Sequence, residues 1–412
     1  MPQPRRSFLV FALLALGAVA GCEKKATPGP GDAPPAPTAA PTATPEAPVD
    51  GDTILFGEVG SLTGAQATFG ISTKNGVQMA IDEVNAAGGV TVDGKVKKIA
   101  VRVYDDQGKS EEAANAVSRL INQDKVVVIL GEVASSNSLA MAPKAQAAKI
   151  PMITPSSTNP KVTEVGDYIF RVCFIDPYQG AGAATYAIKS LGLKKAALLV
   201  DVANDYSVGL ANYFKKSFGK LGGEIVTTLN YQSGDQDFTA QLTKIISQKP
   251  DVLFIPSYFA EGAIIMKQAQ ELGATFKIMG GDAMDNPKIT EIGGKAVEGF
   301  VHTTFPYDPS MKDMNPMAKK FTEDWKKIHP GKDPNVNAAL GYDAYMIILD
   351  AITRAGKVEP EAITKALAET KGFVGVTGAT TINASHDAEK PVGLVLIKDG
   401  KKTYVGDITP DL

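Results

Sequence analysis

The chain has 412 residues and a formal charge of −3, with 42 basic and 45 acidic side chains. That balance excludes a basic surface built for nucleic acid or for anionic lipid. Two cysteines, Cys22 and Cys173, and three scattered histidines, His302, His329 and His386, supply neither a disulfide framework nor metal-ligand spacing.

Arg5 and Arg6 precede an apolar run, FLVFALLALGAVA, that ends at Ala20. The run is too short for a comfortable membrane span and has the plan of a secretory leader over residues 1–21. Its end, Val19-Ala20-Gly21-Cys22, resembles the bacterial lipobox, in which the cysteine is acylated and becomes the first residue of the mature protein. Ala18-Val19-Ala20 also suits ordinary signal-peptidase cleavage, and Arg5-Arg6 followed by Ser7-Phe8-Leu9 also resembles a twin-arginine signal. Glu23 to Gly51 carries eight prolines among alanine, threonine and glycine. Such a stretch cannot bury enough surface to offset its ordering entropy, so residues 22–51 read as a lipidated cysteine and a disordered tether. Removing residues 1–21 takes away two arginines and no acids, which moves the charge to −5. Cys173 is then the one thiol of the folded part, so its core must hold without a disulfide.

From Thr53 the chain alternates strand and helix patterns. Thr53 to Val59 reads as a strand, and Val77, Ala80, Ile81 and Val84 recur at helical spacing until Gly88-Gly89. Ile99, Val101 and Val103 alternate as a strand before the polar turn at Asp105. Ala114, Val117, Leu120 and Ile121 form a second helical stripe. Val126 to Leu130 is a continuous apolar run, as expected of a strand covered on both faces. A helix from Ser135 and a short strand, Met152 to Thr154, follow. The same grammar restarts after Tyr178. Strands are expected at 196–200, 223–230, 252–257 and 277–280, with helices at 208–221, 240–248 and 263–272 between them. Helices over 316–329 and 341–355 and a hairpin turning at Asp399-Gly400 close the chain. The repetition predicts an α/β protein with two doubly wound parallel sheets and right-handed crossovers.

The chemistry of common enzymes is missing. There is no P-loop pattern, no GxSxG elbow and no HExxH, and the Gly57 to Gly64 stretch is not a dinucleotide fingerprint. Asp105-Asp106 reads as a turn and cap pair rather than an acid site. A non-enzymatic protein is expected, with no cofactor and no metal.

Several segments, in order, resemble the leucine/isoleucine/valine-binding protein family of ABC importers. They are Gly60-Ser61-Leu62-Thr63-Gly64, Ala80 to Asn85 with Gly88-Gly89, Tyr104-Asp105-Asp106, Gly131 to Ser136 and Pro151 to Thr158. Asp205-Tyr206 with Gly209, Gly234 to Phe238 and Gly280-Gly281-Asp282 complete the set. The resemblance implies a type I periplasmic-binding-protein fold: two α/β lobes joined by three hinge crossovers, with a ligand closed between them. The crossovers are expected near 171–177, 299–306 and 374–381. They give a first lobe of 52–172 plus 303–376 and a second of 173–302 plus 377–412.

In open α/β sheets ligands sit beyond the carboxyl ends of the strands. Ser135 opens a helix there, where free N–H groups and a hydroxyl can hold an α-carboxylate. By the resemblance, Thr158 supplies a second hydroxyl, Ala134 and Ser156 offer backbone contacts, and Asp282 receives the ligand's ammonium. Aspartate stands at that last position where relatives often have glutamate. Tyr206 and Tyr258 are the implied aromatic neighbours, and Phe69 replaces a frequent tyrosine, which suits an apolar ligand side chain. The implied protein is a monomeric lipoprotein of the periplasm or cell surface. It passes a small amino acid, branched-chain or otherwise apolar, to ABC permease subunits. An amide, urea or aromatic acid as ligand, or a ligand-sensing receptor role, fits the same scaffold.

Overall fold

The computed structural model describes residues 52–411. The leader, Cys22 and the proline-rich tether lie outside the described residues.

The first sheet contains β1 (Thr53–Gly60), β2 (Val90–Val92), β3 (Lys95–Asp105), β4 (Ile129–Leu130), β5 (Met152–Thr154) and β6 (Ile169–Arg171), in the spatial order β2-β3-β1-β4-β5-β6. All its pairs are parallel except the β2–β3 hairpin at the edge. Helices α1 (Ala67–Ala86), α2 (Ser110–Arg119) and α3 (Ser135–Ala148) make its crossovers. The second lobe starts with α4 (Asp176–Thr185), followed by β7 (Lys195–Asp201), α5 (Asp205–Lys220), β8 (Glu224–Tyr231), α6 (Thr239–Ser247), β9 (Val252–Ile255), α7 (Phe259–Glu271), β10 (Lys277–Gly280), α8 (Lys288–Gly293) and β11 (Val301–Thr304). The chain then lays α9 (Pro316–Ile328), α10 (Val336–Ala355) and α11 (Pro360–Ala368) against the first lobe. A three-stranded sheet of β12 (Phe373–Gly375), β13 (Gly378–Ile382) and β14 (Ala388–Glu389) comes next. Finally β15 (Val392–Lys398) and β16 (Lys401–Ile408) complete the second sheet, ordered β16-β15-β11-β10-β9-β7-β8.

The α/β architecture is as read from the sequence, with one refinement. Neither sheet is wholly parallel: β2 and β3 pair antiparallel in the first, and in the second β15 runs antiparallel to both β11 and β16. The last passage between lobes was expected near 374–381. Instead Val376, Ile382 and Ala388 belong to the apolar cluster of Ile54, Phe56 and Tyr345, and the chain enters the second sheet at Val392. The apolar run 126–130 pairs as a strand only at Ile129–Leu130. Val127 and Val128 still bond to Leu55 and Gly57 of β1, so the run lies where its hydrophobicity demands.

Each sheet is covered on both faces, and strand periodicity sorts the side chains. In β7, Ala196, Leu198 and Val200 join one cluster with Phe214 and Phe254, while Ala197 and Leu199 join another with Leu253 and Ile265. The first lobe repeats this: Ile54 and Phe56 face α1 and α10, and Val59 faces α2 and α3. The α1–α10 approach depends on a missing side chain. A Cβ on Gly76 would stand 2.0 Å from the carbonyl oxygen of Ala338. Only glycine lets the two backbones meet there, which sets where the N-terminus of α10 lies.

Among the described residues no helix is long and apolar enough to cross a membrane. No group of three or more His, Cys, Asp or Glu there could hold a metal ion. Cys173 is fully buried, and burial pushes its thiol pKa up, so it is an inert core residue.

Candidate ligand-binding site

The carboxyl ends of both sheets face one cavity. Beyond β4 the chain passes Glu132 and Val133 into α3, and beyond β5 it forms the loop Pro155 to Asn159. From the other lobe come Tyr206 in the first turn of α5, Tyr258 just before α7, and Asp282 just after β10. The space between the walls amounts to about 350 Å³, open solvent at its mouth included. Phe69, Ser135, Ser156, Thr158, Tyr206, Tyr258 and Asp282 all line it. So do Val133, Ala283, Phe305, Val336 and Asn337, which sequence reasoning did not single out.

Ala134 differs from the expectation. It is not among the lining residues, and its backbone is already committed. Its N–H donates to Glu132 Oε2 at 2.5 Å and its carbonyl accepts from Ser138 N at 3.0 Å. A buried carboxylate two residues upstream takes the donor that a ligand would need.

The polar groups of the cavity are unevenly satisfied. Ser156 Oγ and Thr158 Oγ1 are buried without a hydrogen-bond partner, and on the facing lobe so is Asp282 Oδ1. Thr158 lies near enough to Asp176 to lower that carboxyl's pKa, yet makes no hydrogen bond of good geometry. Ser135 Oγ accepts from Asn159 N at 3.3 Å. Native proteins rarely leave buried polar atoms unpaired, and here three stand on opposed walls of one cavity. Burial raises the Asp282 pKa to about 6; the nearby Gln179 amide and Tyr206 hydroxyl pull it partly back. Asp176, also fully buried, is pushed up to about 8 by the same desolvation.

A second layer holds these groups. Gln179 Oε1 accepts from Asp282 N at 2.8 Å and from Thr303 Oγ1 at 2.6 Å, while Ala283 N donates to Tyr206 OH at 3.3 Å. The turn carrying Asp282 is thus tied to α4, α5 and β11. Asp285 closes the turn from below. It accepts from Thr304 Oγ1 and pairs with Lys402 Nζ. Opposite, Glu132 accepts from Ser61 N at 3.0 Å, and its carbonyl receives Thr154 Oγ1 at 2.6 Å and Ser157 Oγ at 2.9 Å. Asp105 and Asp106 are loop organisers, as their adjacency suggested. Asp105 accepts from Leu62 N, Thr63 N and Gln107 N, and Asp106 from Ser61 Oγ, Gly108 N and Asn137 Nδ2.

The lobes touch around the cavity. Ser136 Oγ donates to Asp205 Oδ2 at 3.0 Å, Asn159 Nδ2 donates to the Asp205 carbonyl at 2.9 Å, and Asn286 Nδ2 reaches Thr68 Oγ1 at 2.7 Å. Phe69 packs edge-on to Phe259 at 5.3 Å and lies 6.1 Å from Tyr258, whose ring is 5.7 Å from Tyr206. This is a closed cleft with an aromatic side, two open hydroxyls on one lobe and an open carboxylate oxygen on the other.

A family model described as periplasmic binding protein matches residues 53–402. The chain belongs to the periplasmic binding protein family. A Leu/Ile/Val-binding protein homolog of Brucella melitensis is 30% identical over 82% of this chain and 89% of its own length. Among solved structures, a leucine binding protein from Thermotoga maritima superposes with a TM-score of 0.82 at 43% identity, covering 87% of this chain and 99% of that one. A branched-chain amino acid transporter substrate-binding protein from Streptococcus pneumoniae, in complex with isoleucine, gives 0.79 at 31%, covering 86% and 99%. A solute-binding protein of an ABC transporter from Rhodopseudomonas palustris, in complex with 3,4-dihydroxybenzoic acid, gives 0.77 at 27%, covering 87% and 98%. The periplasmic-binding-protein fold is therefore shared by relatives with amino-acid and with aromatic-acid ligands. The ligand of this member has to be argued from its own cavity.

Proposed function

We propose that this periplasmic binding protein captures an uncharged-side-chain α-amino acid as a zwitterion between its lobes and delivers it to an ABC permease. The observation that carries the reading is the opposition of unpaired groups. Ser156 Oγ and Thr158 Oγ1 wait on one wall, and Asp282 Oδ1 on the other. In this reading Ser135, Thr158 and Ser156 receive the ligand carboxylate, helped by free N–H groups in the first turn of α3. Asp282 receives the ammonium, with Tyr206 beside it. Tyr258 and Phe69 cover the side chain. Closure removes water and strengthens both ionic contacts. The relatives named for leucine, isoleucine and valine support an amino acid as the ligand.

The aromatic-acid complex of one neighbour and the three rings at the cavity support a second reading, an aromatic carboxylate. It is the weaker one, because such a ligand has no cation for Asp282 and would bury that carboxylate unpaired. A thermal-shift panel of amino acids, amides, urea and benzoates decides between them. A ligand at 100 times its dissociation constant adds about 2.7 kcal/mol of stability. Stabilisation by amino acids is expected; stabilisation by benzoates or amides alone would keep the fold and sink the zwitterion assignment.

Family membership implies work on the periplasmic side of the membrane. The lipobox-like Val19-Ala20-Gly21-Cys22 and the Pro-rich stretch behind it support a lipid tether at Cys22. Radiolabelled fatty acid fed to expressing cells is expected to label the wild-type protein and not Cys22→Ser. Equal labelling of both would rule the tether out.

A further inference from the structure

We infer that Asn337 and the N-terminus of α10 form a polar subsite that favours a ligand side chain bearing an uncharged oxygen. The inference rests on the zwitterion reading above and adds the end of the ligand that reading leaves open.

With the ligand's carboxylate against α3 and the β5 loop, and its ammonium against Asp282, the remaining walls are Phe69, Val133, Phe305 and Val336, the ring of Tyr258, and Asn337. Four of these are apolar. Asn337 is not, and it is the second residue of α10. It is only 5% exposed, it lines the cavity, and no hydrogen bond to its side chain forms among the described residues. Its place is well fixed. Asn335 caps the helix by accepting from Ala338 N at 3.1 Å, and its amide donates to Ser72 Oγ at 2.8 Å. Gly76 lets α1 meet α10 backbone to backbone just beyond. The backbone that carries Asn337 is therefore held at the cavity wall.

Two kinds of donor meet there. The first-turn N–H groups of a helix have no partner within the helix, and they carry its positive end. The asparagine NH2 adds a donor, and its carbonyl adds an acceptor. A hydroxyl or amide on the ligand can satisfy this set. A purely aliphatic side chain closes the cleft while leaving the amide desolvated and unpaired, which costs affinity. A carboxylate side chain is disfavoured, because no basic residue lines the cavity.

Two near-isosteric ligand pairs isolate the effect from size: threonine against valine, and asparagine against leucine. Calorimetric titration of the full chain is expected to show the polar member ahead by about tenfold or more in at least one pair. In Asn337→Leu, which keeps the volume, that lead is expected to vanish. If valine equals or beats threonine and leucine equals or beats asparagine, the subsite is refuted and the zwitterion reading stands. A lead that persists unchanged in N337L also refutes it. So does the failure of all four to bind when another amino acid binds. If no α-amino acid binds at all, the zwitterion reading itself falls and the subsite with it. The wild-type comparison needs no variant to fold, so the proposal is tested even if N337L is unstable.

Discussion

Asp282→Asn is expected to weaken amino-acid binding by at least about thirtyfold while leaving the ligand-free protein as stable as before, or more stable. Removing one partner of a buried charge pair costs about 2–5 kcal/mol of binding, and each 1.4 kcal/mol is a factor of ten. The stability half of the prediction follows from the raised pKa. Burial lifts this carboxyl to about 6, above its unfolded value of 3.8. Its contribution to the stability of the ligand-free fold is therefore fully present below about pH 4 and lost as pH rises through 6. Above that pH an ionised Asp282 opposes folding, and the neutral amide does not. The same pKa gives the wild type a pH signature. The ammonium needs the carboxylate, so below about pH 6 binding must first expel a proton, and Kd should rise by up to about tenfold per pH unit. The neighbours do not share this window. Asp176 is held up near 8 by burial, and Asp285 is held below its ordinary value, chiefly by Lys402 against the opposing effect of burial. Calorimetry at pH 5, 6, 7 and 8 on both proteins is the check. Wild-type affinity that is flat across that range, or undiminished affinity in D282N, would remove Asp282 from the site.

Arg171→Met is expected to cost about 3–5 kcal/mol of folding stability, the range for breaking a buried ion pair from one side. Arg171 is fully buried at the end of β6, where the chain leaves the first sheet. Its Nε donates to Asp387 Oδ1 at 2.6 Å, Nη1 to the Ser157 carbonyl at 2.5 Å, and Nη2 to the Asn159 carbonyl and Thr163 Oγ1, each at 2.9 Å. One guanidinium thus ties the loop that carries Ser156 and Thr158 to the segment that carries Asp387, more than two hundred residues away. Methionine fills much of the volume and satisfies none of those oxygens. Denaturant unfolding should show the loss as a lower midpoint at unchanged slope. Adding Asp387→Leu should recover part of it, since the stranded carboxylate is then gone. A loss below about 1 kcal/mol would mean that water replaces the guanidinium and that the loop is held some other way. Affinity should fall as well, because the hydroxyls proposed to meet the ligand sit on the loop that loses its anchor.

Particular elements show how far the linear chain could be read. The expected helix from Ser135 and the expected strand at 152–154 are α3 and β5. Helix α10 was read from Gly341, although it begins at Val336. Asn335 and Asn337 interrupt the apolar pattern, one as a cap and the other as a cavity wall, so the helix start and the Asn337 wall were missed together. The one usable signal was Asn335 in a capping position before an apolar run. Ala134 was expected to offer its backbone to the ligand, and the carboxylate of Glu132 takes that donor instead. Nothing local to Ala134 reveals this, since the partner's orientation depends on Ser61, Thr154 and Ser157 from other strands.

The family resemblance, not periodicity, pointed to Thr158, Tyr206, Tyr258 and Asp282; what the sequence by itself determined was the alternation of strands and helices and the two sheets. Those features follow from side-chain period and turn chemistry, which act over a few residues. Only the tertiary structure decided which polar atoms remain unpaired at the cavity, that Arg171 and Gln179 hold the walls, and that Asn337 completes them. Those outcomes depend on burial and on partners far apart in the chain, and desolvation has no local signature in a sequence.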